Sequence, residues 1–138
     1  MTTLVNILLV EDDEVDIMNV QRAFKKNKIN NPLHVARNGL EALEFLTGNK
    51  NPLPKIVLLD INMPKMGGIE FLSEVRKLPE LKSLSVFVMT TSNEESDKIA
   101  AYDLNVAGYI LKPLSFEGFS SAVSILNHYW HLCEMPQV

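Results

Sequence analysis

The chain has 138 residues, of which 46% are hydrophobic and 22% charged, with a formal net charge of -4. That length suits one domain and is short for two, and the balance is too apolar for a disordered chain. The acidic excess leaves no basic footprint for nucleic acid, no apolar run reaches membrane-spanning length, and the single cysteine, Cys133, excludes an intrachain disulfide. Single-cysteine usage fits a reducing cytoplasm. Met1-Thr2-Thr3 lacks the charged and apolar regions of a signal peptide. One cytoplasmic domain over residues 1–138 is expected, with a C-terminal helix and a short tail.

Ile7-Leu8-Leu9-Val10 is a continuous apolar run halted by acids, the pattern of a buried parallel strand. Between Glu14 and Lys26, Ile17, Val20, Ala23 and Phe24 recur at helical spacing. Asn30-Asn31-Pro32 breaks the chain before a second strand at Leu33-His34-Val35-Ala36. Asn38 is suited to cap a helix carrying Leu40, Leu43 and Leu46, which Gly48 ends. Asn49 to Pro54, with two prolines, reads as a loop. Ile56-Val57-Leu58-Leu59 repeats the first signature and ends at Asp60. Pro64 and then Gly67-Gly68 read as a turn before a helix with Ile69, Leu72 and Val75. A fourth strand spans Leu84 to Met89 and ends at Thr90-Thr91-Ser92. Glu94 to Leu104 forms the fourth helix, Ala107 to Leu111 the fifth strand, and a last helix runs from Ser115 to Cys133.

This alternation implies βαβ units in an α/β, doubly wound parallel sheet covered on both faces. Right-handed crossovers leave few windings. A flavodoxin-like (βα)5 fold, strand order 2-1-3-4-5, puts the first and third strands at the centre, where their carboxyl ends form the binding crevice.

The residues after each strand are therefore the place to look for chemistry. Glu11-Asp12-Asp13-Glu14 and Asp16 follow the first strand. Asp13, Glu14 and Asp16 read as first-turn acids facing the positive end of a helix dipole. Glu11 and Asp12 precede the helix and meet Asp60 at the strand edge. Three carboxylates in one crevice repel unless a cation lies between them, and an all-oxygen set suits a hard divalent ion such as Mg²⁺. The fourth strand adds the Thr90 hydroxyl and the fifth the Lys112 ammonium. Such a set suits a phosphoryl group held on a carboxylate nucleophile, with metal and lysine balancing its charge.

From Asn6 to Ile125 the chain resembles a two-component response-regulator receiver domain. The matching pieces are Ile7-Leu8-Leu9-Val10-Glu11-Asp12-Asp13, Leu59-Asp60-Ile61-Asn62-Met63-Pro64-Lys65-Met66-Gly67-Gly68, Met89-Thr90-Thr91-Ser92 and Gly108-Tyr109-Ile110-Leu111-Lys112-Pro113. The resemblance implies that Asp60 is the phosphoacceptor, fed by a sensor histidine kinase or a phosphotransfer protein. It implies Mg²⁺ held by Glu11, Asp12, Asp60 and the main-chain carbonyl of Asn62. Thr90 would be the switch hydroxyl, with Thr91 beside it, Tyr109 the coupled aromatic and Lys112 the ligand of the phosphoryl oxygens. Lys112 would act with Asp60 in transfer, and the peptide between Lys112 and Pro113 is usually cis in the family. Within that family the chain is most similar to the small single-domain cyanobacterial-phytochrome response regulators. The cues are the loop from Asn49 to Pro54, Thr90-Thr91-Ser92 with Ser96, Tyr102-Asp103-Leu104 and the aromatic Tyr129-Trp130. Thr91, bulkier than the family's usual Ala or Ser, is expected to restrict the inward position of Tyr109.

The resemblance thus implies a stand-alone response regulator, not an enzyme acting on outside substrates, that transfers and hydrolyses phosphoryl groups on itself. A phytochrome-like kinase is the expected partner, and a homodimer through the helix 4–strand 5–helix 5 face is expected, without nucleic acid or membrane. A haloacid-dehalogenase-like phosphatase would need a second acid two residues after Asp60, where Asn62 stands. A flavodoxin-like flavin binder would need a hydroxyl- and glycine-rich loop where Glu11 to Glu14 would repel a phosphate. The alternative of another class is a receiver fold used for interaction alone, never phosphorylated. His128, His131 and Glu134 lie at helical spacing and read as a solvated face rather than a metal stripe. Tyr129, Trp130 and Leu132 fit two readings, a cap on the chain's own core or an association surface.

Overall fold

The computed structural model describes residues 4–48, 52–112 and 115–134. Among them, β1 (Ile7–Val10), β2 (Leu33–Ala36), β3 (Ile56–Leu59), β4 (Ser85–Thr90) and β5 (Gly108–Leu111) form one sheet. All pairings are parallel, in the order β2-β1-β3-β4-β5. The helices α1 (Glu14–Lys26), α2 (Gly39–Thr47), α3 (Gly68–Lys77), α4 (Glu95–Asp103) and α5 (Phe116–Leu132) connect or follow the strands. The flavodoxin-like winding read from the sequence is the one observed. A 3₁₀ turn at Pro79–Leu81, between α3 and β4, was not legible in the periodicity.

Strand alternation divides the core into two layers. Ile7 and Leu9, Ile56 and Leu58, and Phe87 and Met89 face α1 and α5, where Ile17, Val20, Phe24, Phe119, Val123, Leu126 and Trp130 meet them. Leu8 and Val10, Val57 and Leu59, and Val86 and Val88 face the other way, onto Ala42, Leu46, Phe71, Leu72, Val75 and Ala101. Both central strands are buried along their whole length, and each such side chain taken from water contributes roughly 1.5–3 kcal/mol. That burial holds the sheet and fixes the level at which its carboxyl ends emerge.

The caps follow local chemistry. The Asp13 carboxylate accepts from Val15 N at 2.9 Å and Asp16 N at 3.1 Å, which ends the strand-to-helix connection and starts α1. Asn38 Oδ1 accepts from Glu41 N at 2.8 Å to start α2, and Ser115 Oγ accepts from Gly118 N at 3.1 Å to start α5. At the far end, Trp130 is 4% exposed and tilts against Phe24 at 6.3 Å, whereas Leu132 is 86% exposed. The aromatic end of α5 therefore splits: Trp130 belongs to the chain's own core, Leu132 faces outward, and half-exposed Tyr129 packs one side edge-on against buried Phe87 at 5.5 Å. Pro113 and the peptide joining it to Lys112 lie outside the described residues, as do positions 49–51 of the expected loop.

Candidate functional site

Main-chain hydrogen bonds extend the ladder one residue past the strands and set the site's floor. Glu11 N donates to Ala36 O at 2.9 Å, Asp60 N to Val10 O at 3.0 Å, and Lys112 N to Thr90 O at 2.8 Å. Residues that begin as loop are thereby held like sheet, and Glu11, Asp60 and Thr90 are buried. Behind Asp60, Gly68 brings the start of α3 so close that a Cβ there would lie 2.6 Å from Asp60 O and 2.7 Å from Ile61 Cα. The Gly67-Gly68 pair is thus more than the turn the sequence suggested: Gly68 sets where the Asp60 backbone sits.

The Asp60 carboxylate has two differently occupied oxygens. Oδ1 accepts from Thr90 Oγ1 at 2.7 Å and from Asn62 N at 3.2 Å. Oδ2 pairs with Lys112 Nζ at 3.2 Å. The same ammonium lies 2.7 Å from Glu11 Oε1 and 2.6 Å from Asp16 Oδ2. Asp16 is the residue that sequence reasoning missed. It was assigned to the helix dipole, yet α1 directs it into the cleft. No spacing rule pointed to it, because Asp12 precedes α1 and the direction of Asp16 into the cleft is set by how α1 docks on the sheet. Asp13, read from the sequence as a first-turn acid, stands one step earlier as the cap of α1, while Glu14 lies in the first turn and pairs with Arg37.

Charge and burial compete here. Burial pushes the Glu11 carboxyl up to about 7, reinforced by the charge of Asp60 and opposed by the Lys112 hydrogen bond. For Lys112, burial favours the neutral amine, but the bonds from Asp16 and Glu11 and the charge of Asp60 outweigh it and push its pKa up. The ammonium is therefore held charged among acids. One oxygen each from Glu11, Asp12 and Asp60 lies within 4.8 Å of the others, the one such cluster of acidic, His or Cys ligands among the described residues. An all-oxygen donor set of this kind, half open to solvent through exposed Asp12, fits a hard divalent cation that keeps some of its water. His128, His131 and Glu134 do not converge in this way.

The cleft measures about 630 Å³ and is lined by Glu11, Asp12, Asp16, Asp60, Asn62, Thr91 and Lys112 among others. Thr91 is exposed on its rim. Tyr109 does not reach the acids. It lies half-buried against the α2–α3–α4 layer, and its hydroxyl donates to Ser92 O at 2.9 Å. Ser92 is a second feature the sequence understated: its amide donates to Thr90 Oγ1 at 3.3 Å and its hydroxyl to Asp97 Oδ2 at 2.6 Å in the first turn of α4. Thr90 is thus linked on one side to Asp60 and on the other, through Ser92, to α4 and Tyr109.

Comparison with known proteins agrees with this geometry. The family model of the response regulator receiver domain matches residues 7–124. Response regulator Rcp1 of Synechocystis sp. is 38% identical over 128 residues, 90% of this chain and 87% of its own. The probable methanogenesis regulatory protein FilR2 of Methanothrix harundinacea is 38% identical over 127 residues, covering 90% of this chain and 82% of that protein. A crystal structure of the phosphorylated cyanobacterial phytochrome response regulator RcpA superposes with a TM-score of 0.91 at 31% identity, over 98% of this chain and 100% of that one. The Mn²⁺-bound form of Rcp1 follows at 0.89 and 36%, over 96% and 99%. Motifs at four strand ends, a shared winding and a match along most of its length agree, and the chain belongs to the response regulator receiver domain family, related to the phytochrome response regulators.

Proposed function

We propose that this receiver is a switch driven by phosphorylation of Asp60, with a sensor histidine kinase of the phytochrome-linked kind, or a phosphotransfer protein, as donor. The observation that carries the reading is the surroundings of Asp60: a buried carboxylate with a hydroxyl at 2.7 Å on one oxygen and an ammonium at 3.2 Å on the other, beside two further acids. In the transfer, an Asp60 oxygen attacks the phosphorus of a phosphohistidine, the P–N bond breaks, and the histidine nitrogen leaves. A Mg²⁺ ion held by Glu11, Asp12, Asp60 and the carbonyl of Asn62 would neutralise charge on the phosphoryl oxygens. Lys112 pairs with those oxygens, and Thr90 turns its hydroxyl from the carboxylate to them. Each change at Thr90 is felt by Ser92, and so by α4 and Tyr109.

The modification shifts this surface only as far as it interacts differently with the two arrangements. The α4, β5 and α5 elements carry exposed Ile99, Tyr102, Leu111 and Tyr129, the surface we assign to partner binding and to a homodimer. The chain turns over no outside substrate in this reading, and its working compartment is the cytoplasm. No helix among the described residues is long and apolar enough to cross a membrane.

Intact mass after incubation with acetyl phosphate, with and without Mg²⁺, tests the proposal beside an Asp60→Asn control. A Mg²⁺-dependent gain of one phosphoryl group, absent in the control, is expected. No gain from either acetyl phosphate or a phosphorylated histidine kinase would leave a receiver fold used for interaction alone.

A further inference from the structure

Lys112 has more carboxylate partners than one role requires. Its ammonium, on a side chain only 7% exposed, rests on Glu11 Oε1 at 2.7 Å and Asp60 Oδ2 at 3.2 Å. Those two residues also belong to the three-carboxylate cluster that suits a divalent cation. The other oxygens of both residues are engaged as well. Glu11 Oε2 accepts from Asp13 N at 3.2 Å, and Asp60 Oδ1 accepts from Thr90 and Asn62. A cation entering the cluster must therefore draw Glu11 and Asp60 away from the ammonium, because two positive centres cannot share those oxygens at such range without strong repulsion.

Asp16 supplies the place for the ammonium to go. It stands outside the three-carboxylate cluster, on the first turn of α1, with its backbone fixed by the Asp16 N bond to the Asp13 cap. Its Oδ2 is already the nearest of the three carboxylate oxygens around Lys112 Nζ, at 2.6 Å. Its side chain is 20% exposed, so it keeps some hydration of its own. A lysine side chain rotates a compact point charge about its stem and can change partners with little movement of the backbone.

We propose that Asp16 is a positioning residue for Lys112: it takes over the ammonium when a divalent cation claims Glu11 and Asp60, and so holds that charge at the edge of the site, in reach of a phosphoryl group. This deepens the phosphorylation reading and rests on it. Charge balance follows directly. With Asp16 and Lys112 neutralising each other, three carboxylates face the divalent ion. Without Asp16, the ammonium has only the metal's own ligands to pair with, and the ion has to compete with it.

Mn²⁺ titration followed by the electron-paramagnetic-resonance signal of the free ion tests this on the full chain in a double-mutant cycle. Asp16→Asn is expected to weaken Mn²⁺ binding about tenfold when Lys112 is present, and far less in a Lys112→Met background. Glu14→Gln serves as a charge control that needs no substitution at Lys112, since Glu14 is an exposed acid of the same turn lining the same cleft. It is expected to change binding by much less than Asp16→Asn. A Glu14→Gln loss equal to that of Asp16→Asn, an Asp16 effect unchanged by Lys112→Met, or no Asp16 effect at all would overturn the positioning role while leaving the metal site in place. Failure of the unsubstituted chain to bind Mn²⁺ would overturn the phosphorylation reading's metal and this inference with it.

Discussion

On one side of Asp60 lie charges: Lys112 against Oδ2, with Glu11 and Asp16 on the same ammonium. On the other side lie hydrogen bonds from uncharged donors: Thr90 to Oδ1, Ser92 N to Thr90, Ser92 Oγ to Asp97 and Tyr109 to Ser92 O. The charged side is stabilised by interactions that act over distance and respond to any added ion. The hydrogen-bonded side depends on geometry over about 3 Å and breaks when a hydroxyl turns. Charge is suited to sensing a cation or a phosphoryl group, and a chain of directional bonds to relaying that event into α4. The comparison therefore separates detection from transmission within a single carboxylate.

Four experiments press on that separation. The largest effect is expected from Lys112→Met, which leaves buried Glu11 and Asp60 without their counter-charge and should cost about 3–5 kcal/mol in urea unfolding. A loss under 1 kcal/mol would mean the charged side is already balanced by solvent. Thr90→Ala removes the hydroxyl that joins the two sides and leaves the Ser92 amide without its acceptor, at about 1–3 kcal/mol. Asp60 labelling by acetyl phosphate should persist in that variant while phosphorylation no longer alters amide exchange in α4. Equal loss of labelling and response would merge the two sides into one.

Ser92→Ala should cost about 1 kcal/mol and speed amide exchange in the first turn of α4, with Mg²⁺ affinity unchanged. The fourth effect is in pH dependence, and it belongs to the charged side alone. Glu11 binds its proton more tightly folded, at about 7, than at its ordinary 4.5. Between those values the folded chain holds the extra proton, so this group's contribution to stability falls as pH rises from 4.5 to about 7. A divalent cation needs Glu11 ionised, so the rise in melting temperature on adding Mg²⁺ should be larger at about pH 7.5 than at about pH 5.5. Lys112, raised in the fold, contributes fully below its ordinary 10.5 and loses that contribution only as pH climbs through its higher folded value.

Periodicity and punctuation were enough for the winding, because β1 and β3 are buried on both faces and read as unbroken apolar runs, and because Asn38 and Gly48 mark helix ends by local chemistry. The same logic placed Glu11, Asp12, Asp60, Thr90 and Lys112 at strand ends, where a parallel sheet gathers them. α4 was bounded to within one residue at each end, although among its residues only Ala101 is fully buried and its apolar signal is weak. Side-chain direction was not legible. Nothing in the order of residues says that Asp16 turns toward Lys112 while Asp13 turns back to cap its own helix, or that Ser92 bonds Asp97.

What the residues determined by themselves is the alternation of strand and helix, the strand order it permits, and which side chains stand at the sheet's carboxyl edge. Each of these depends on local pattern and chain connectivity. Only the tertiary structure decided that Trp130 closes the core while Leu132 faces outward, that Gly68 must lack a side chain beside the Asp60 carbonyl, and that one ammonium is shared among Glu11, Asp16 and Asp60. Those outcomes depend on angles and separations between elements far apart in the chain, and a few ångströms there decide which carboxylate a lysine meets.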